Sequence, residues 1–217
     1  MDAALAGFFL ALVLTTAAPG AFPAEPRSHA EALAALAGAE ENGRADAIAW
    51  IAEHGTMADA AALQARLRDA SARVRGYAER GLWRLWTRAD DPQIDARMAH
   101  GTQAMQSGNL DEAIYDFTTI IRARPDFAEG WNRRATAYFL AGEDERSMAD
   151  CKEVLKRNPG HFGALSGMGQ IEMRRGNDRR AREWFRRALE VNPNMAAVRE
   201  WMRAVEARIA ARRREAI

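Results

Sequence analysis

"RPDFAEGWNRRATAYFLAGEDERSMADCKEVLKRNPG", residues 124–160, sets Trp131, Ala135, Tyr138 and Gly142 at steps of four, three and four residues, with Pro159 seventeen further on. The stretch reads as two amphipathic helices, with the glycine near the turn between them and the proline where a helix cannot continue. Its neighbours carry the same punctuation. Pro125, Pro159 and Pro193 lie 34 residues apart, as do Gly108, Gly142 and Gly176. The small residues Gly101, Ala135 and Gly169 keep that period, and so do Ala113, Ser147 and Ala181. Four positions in one register define a repeat, with units at 94–127, 128–161 and 162–195. Small residues at the eighth and twentieth places of each unit let its two helices approach. Phe117, Cys151 and Phe185, all at the twenty-fourth place, fill the space between them.

This pattern is similar to the tetratricopeptide repeat family, whose Trp, Ala, Tyr, Gly and Pro the middle unit carries as Trp131, Ala135, Tyr138, Gly142 and Pro159. The outer units depart from it: Arg97 and Leu165 stand for the Trp, and Ala104 and Glu172 for the Tyr. The resemblance implies an all-α, right-handed superhelical solenoid of antiparallel helical hairpins, three repeats and a capping helix, whose first helices line a concave groove that binds peptides or partner proteins. Carried over position by position, the groove would be lined by Asp95, Met98, Thr102, Met105, Glu129, Asn132, Thr136, Phe139, Ser166, Gln170 and Met173. Most of these are uncharged. The Lys and Arg set with which some members clamp a C-terminal carboxylate is missing at these places, which points away from chaperone-tail recognition of that type. An extended segment with apolar anchors suits the lining better, since Met and Phe give adaptable contact area and Asn132 and Gln170 can hydrogen-bond a peptide backbone. Met at helical spacing is also ordinary core filling, so the groove and a scaffold with an unused or self-occupied groove are both open readings.

Composition agrees with a helical fold. Of 217 residues, 48% are hydrophobic and 28% charged, enough apolar matter for a core, and Ala, Leu, Glu and Arg outnumber β-branched residues. A formal net charge of +1 gives no whole-chain argument for nucleic acid. Locally the balance differs. Thirteen arginines and five acidic residues fall between 174 and 214, and Arg208, Arg212, Arg213 and Arg214 give the last helix a basic side. That surface could meet an acidic protein or, peripherally, an anionic membrane or envelope surface; a merely solvated face is its bland alternative. The basic stretch carries no recognition-helix motif, and no nucleic-acid partner is expected.

Residues 1–20 read as a signal peptide: "AALAGFFLALVLTTAA" is uncharged and leads to a small-x-small site at Ala18 and Gly20. Asp2, with no Lys or Arg nearby, leaves open a short apolar leader instead. The expectation is a periplasmic or secreted protein, or a cytoplasmic one if the leader is not a signal. Residues 28–93 form a second helical region, with Leu63, Leu67, Val74, Ala78, Leu82 and Leu85 at helical spacing. Asp69, Val74 and Arg75 make it resemble a single HEAT repeat. After Pro193, residues 196–217 form a capping helix, with Val198, Trp201, Met202, Val205 and Ile209 on its apolar side.

No catalytic residue is expected. The four histidines, His29, His54, His100 and His161, have no ligand spacing, so no metal or other cofactor is called for. "GALSGMGQ", residues 163–170, lies inside a repeat helix with no preceding strand, and its glycines serve packing rather than phosphate binding. Cys151, the only cysteine, falls in a buried packing slot. The function expected is a non-catalytic protein-interaction module, with an envelope adaptor acting through the basic third, or an auxiliary subunit of an envelope enzyme complex, as the alternatives.

Overall fold

The computed structural model describes Pro26 and residues 28–215; the leader at 1–20 lies outside them. Eleven α-helices and no strand occur among the described residues. They are α1 (His29–Ala37), α2 (Glu41–His54), α3 (Ala60–Arg66), α4 (Ala72–Thr87), α5 (Pro92–Gln106), α6 (Leu110–Ala123), α7 (Ala128–Leu140), α8 (Asp144–Arg157), α9 (Phe162–Arg174), α10 (Asp178–Val191) and α11 (Ala196–Glu215). The chain divides into two compact units. One takes in residues 28–88 with Asn192–Asn194, the other Ala89–Val191 and residues 195–215.

In the first unit all six residues of the apolar stripe from Leu63 to Leu85 are buried. The corner between α3 and α4 explains its polar residues. Asp69 accepts from Arg44 Nε (2.8 Å), Arg44 Nη2 (2.9 Å) and the Ser71 amide (3.0 Å), and Arg75 Nη1 donates to the carbonyls of Asp69 (2.9 Å) and Ala70 (3.0 Å). The helix before this corner is short, seven residues from Ala60 to Arg66, and follows a 3-10 turn at Met57–Asp59 capped by Thr56.

The second unit is a solenoid of helical hairpins, α5 with α6, α7 with α8 and α9 with α10, followed by α11. Its first helix starts two residues ahead of the expected register at 94, because Asp91 caps it by accepting from Gln93 N (2.9 Å) and Ile94 N (3.3 Å) and Pro92 needs no amide partner at the first position. Between the helices of every hairpin the chain turns through a left-handed glycine, with φ of 81° at Gly108, 79° at Gly142 and 74° at Gly176. Each is a Schellman cap. The glycine amide donates three residues back, to Met105, Phe139 or Met173, and the next amide five back, to Ala104, Tyr138 or Glu172, all at 2.8 to 3.2 Å. That conformation requires glycine on steric grounds, which is why it recurs at this place in each repeat.

Within each hairpin the helices touch at places 8 and 24. A Cβ added to Gly169 would come within 2.4 Å of the Phe185 ring, and one on Gly101 within 2.9 Å of Phe117. Repeat two reverses the sizes, Ala135 sharing an apolar cluster with the smaller Cys151. Adjacent places 7 and 23 form a second bridge whose chemistry changes along the stack. His100 Nδ1 meets Asp116 Oδ2 at 2.5 Å, Arg134 Nε and Nη2 meet Asp150 at 2.7 and 2.9 Å, and Met168 and Trp184 pack in one cluster. Asp116 also accepts from Arg97 (2.7 Å), the residue standing where the family has Trp, and its hydrogen bond raises the pKa of His100. In α11, Val198, Val205 and Ile209 are buried and Trp201 lies 5.8 Å from Phe185, centroid to centroid. This helix covers the last hairpin.

The size match at places 8 and 24 predicts a coupling. Gly169→Ala is expected to destabilise the chain by about 1–3 kcal/mol through overpacking, despite alanine's better helix propensity. With Phe185→Leu the two losses should be less than additive in a denaturant double-mutant cycle, and strict additivity would contradict the close approach.

Candidate functional site

The candidate residues lie on α5, α7 and α9, the first helices of the three repeats. On α5, Met98 and Met105 sit in an apolar cluster with Ile94, Phe117 and Ile120, Thr102 is half-buried, and the Asp95 carboxylate accepts from the Ala89 amide at 3.2 Å. Phe139, on α7, packs with Ala135, Met148 and Met168, and the Arg174 guanidinium carbon stands 3.9 Å from its ring centroid. Thr136 donates its hydroxyl to Asn132 O (3.0 Å) and Ser166 to Gly163 O (2.9 Å), so both turn back onto their own helices. Met173 is half-buried at the end of α9.

Glu129 has no exposed surface and sits in a charged network. Its Oε1 accepts from Arg133 Nε at 2.6 Å, and its Oε2 accepts from Asn132 Nδ2 at 3.1 Å and stands 3.3 Å from His161 Nε2. His161 Nδ1 accepts the Ala164 amide at 3.0 Å, capping α9, which assigns the ring proton to Nε2 and directs it to Glu129. Burial pushes the Glu129 carboxyl up, but Arg133, His161 and Asn132 together outweigh it and hold the group below the ordinary carboxylate range. Arg133 and His161 carry no repeat signature that would have singled them out. The network joins α7 to the start of α9 and so fixes the spacing between repeats two and three.

Gln170 differs from all of these. Its side chain is 0% exposed, and neither Oε1 nor Nε2 has a hydrogen-bond partner. A buried primary amide left unsatisfied costs about 1–3 kcal/mol. Native structures rarely keep such a group without a use for it.

Of the four basic residues singled out on the last helix, Arg208 and Arg212 are ion-paired to Asp178 at 2.6 and 3.2 Å, while Arg213 and Arg214 are exposed. Among the described residues no group of three or more His, Cys, Asp or Glu is placed to hold a metal ion. Cys151 is buried, and burial pushes its thiol up to about 12. It is expected not to react with iodoacetamide in the native chain at neutral pH and to react fully once unfolded; rapid native alkylation would show the slot to be open.

Residues 98–161 and 162–195 match the tetratricopeptide repeat family. A TPR repeat-containing protein of Rhizobium etli is 33% identical over 128 residues, which are 59% of this chain and 63% of the relative, so the chain spans less than two thirds of that protein's length. Among solved structures, the Sgt2 TPR domain from Aspergillus fumigatus superposes with a TM-score of 0.55 at 22% identity, covering 58% of this chain and 85% of that one. The first TPR domain of Spaghetti, bound to an HSP90 peptide, gives 0.52 at 24% identity, covering 54% and 93%. Residues 98–195 of the chain are tetratricopeptide repeats.

Proposed function

We propose that the chain is a non-catalytic interaction module that captures an extended segment of a partner protein on the faces of α7 and α9. The observation that carries this reading is the Gln170 amide, enclosed with both its donor and acceptor ends unsatisfied, so that a segment meets it where the side chains covering α9 move aside. An extended backbone offers one N–H and one C=O at each residue, the complement of a primary amide. Solved structures of the same fold include a domain that holds a peptide, the Spaghetti domain with its HSP90 peptide, which supports a peptide as the ligand class here. The lining of this chain is largely uncharged, so the segment proposed is one with apolar side chains, read through its backbone. Export to the periplasm or beyond is part of the proposal, on the strength of the apolar stretch at residues 3–18.

Crosslinking capture with the full chain, wild type against Gln170→Leu, tests the reading. Phe139 is a poor probe, because it belongs to the apolar cluster and truncating it would cost about 3–5 kcal/mol of stability whatever it binds. Recovery of one protein by the wild type alone supports capture at Gln170, and equal recovery by both overturns it.

A further inference from the structure

Away from the Gln170 face, a cleft of about 560 Å³ opens between the first turn of α10 and the last turns of α11. Arg179, Arg180, Arg212 and Arg213 line it, with Ile209 and Asp178 among the residues between them. The acidic residue is already neutralised. Asp178 is 2% exposed, its Oδ1 accepts from Arg208 Nε (2.9 Å) and Nη2 (2.6 Å), and Arg212 Nη2 lies 3.2 Å from Oδ2. Arg179, Arg180 and Arg213 are exposed and have no hydrogen bond or ion pair among the described residues. Nearby Glu183 is engaged by Arg186. The cleft therefore gathers three uncompensated guanidinium groups, anchored on a neutralised base.

We propose that this cleft docks an acidic peptide segment of a partner protein, with carboxylates on Arg179, Arg180 and Arg213 and an apolar side chain over Ile209. Guanidinium forks match carboxylates in bidentate geometry, and three of them facing one recess favour a multiply charged ligand. The size decides between a segment and a bare anion. The volume falls within the roughly 300–1,000 Å³ of sites that hold organic ligands, and a small inorganic ion would leave the apolar floor at Ile209 wet. A bilayer is disfavoured by shape, since these arginines line a recess and a flat surface is met by protruding charges. Arg203 and Arg214, exposed on the same helix, do not line the cleft and provide a matched control. The site stands apart from the Gln170 face and requires nothing of it.

The probe is a fluorescein-labelled peptide alternating aspartate and leucine, titrated by anisotropy against the full chain at about 50 and 150 mM salt, around the range where screening of exposed charges sets in. Arg180→Glu with Arg213→Glu is expected to weaken binding at least about tenfold, while Arg203→Glu with Arg214→Glu, an equal change in net charge, leaves it within about twofold. An asparagine–leucine peptide should not bind, and Gln170→Leu should bind the acidic probe as the wild type does. Circular dichroism confirms that each variant folds. Equal losses in the two charge-reversed pairs, no binding by the wild type at low salt, or complete displacement of the peptide by millimolar inorganic phosphate would each overturn the proposal. Retention of the chain by phosphatidylserine vesicles through Arg180 and Arg213, without peptide binding, would overturn it in favour of a membrane site.

Discussion

Arg133→Leu is expected to lower the unfolding free energy by about 3–5 kcal/mol at neutral pH, the usual loss when one partner of a buried ion pair is removed. Glu129 would remain fully buried with only His161 and Asn132 to meet its charge. The pH dependence separates this cause from lost packing. In the wild type the folded-state pKa of Glu129 lies below its unfolded value. The stability it contributes is then fully present above the unfolded pKa, about 4.3, and disappears as the pH falls through the folded value. Without Arg133, burial becomes the dominant influence and the folded pKa rises above the unfolded one. The sign reverses, and stability contributed by this group falls as the pH rises through the raised value. The deficit of Arg133→Leu should therefore be smaller at pH 4.5 than at pH 7, as read by urea denaturation. The double variant Glu129→Gln with Arg133→Leu should recover most of the loss, since no uncompensated charge is left. A deficit that does not change with pH would mean that Arg133 acts through its packed stem alone.

The hairpins, their turns and their close contacts were legible in the sequence, because each depends on one residue type at one place in the period. A left-handed turn demands glycine, a helix end two residues before Pro125, Pro159 or Pro193 follows from the missing amide, and Gly facing Phe or Ala facing Cys conserves the volume between two helices. The two residues by which α5 precedes the first place of its repeat were not legible, because Asp91 and Pro92 form a cap that belongs to no repeat place. The charged features were hidden for a different reason. Glu129 and His161 are 32 residues apart, and Asp178 and Arg208 are 30 apart. Neither spacing has a helical or strand period, so each pairing exists only after the helices have packed. The basic side of the last helix shows the consequence. Four arginines looked equivalent in sequence, yet two neutralise Asp178 and only Arg213 and Arg214 are left without that partner.

Gln170→Leu should make the chain more stable and less able to bind. Leucine replaces an amide of similar size that has no hydrogen-bond partner on either atom, so the folded state no longer carries the cost of its desolvation. The expected gain is about 1–3 kcal/mol by chemical denaturation, or roughly 2–4 °C in melting temperature for each kcal/mol. Capture of the segment should fall about tenfold or more, because a ligand N–H and C=O that had met the amide would be buried against a hydrocarbon side chain. Opposite signs for stability and binding are the discriminating result. Loss of a merely structural glutamine would lower or leave stability unchanged and would affect binding only as far as it unfolds the protein. Gln170→Glu provides the complementary arm: it places a charge in the same enclosed position and should reduce both stability and capture. A stabilised Gln170→Leu chain that captures its partner as well as the wild type would leave the buried amide unexplained by binding and would remove the basis for placing the ligand on α9.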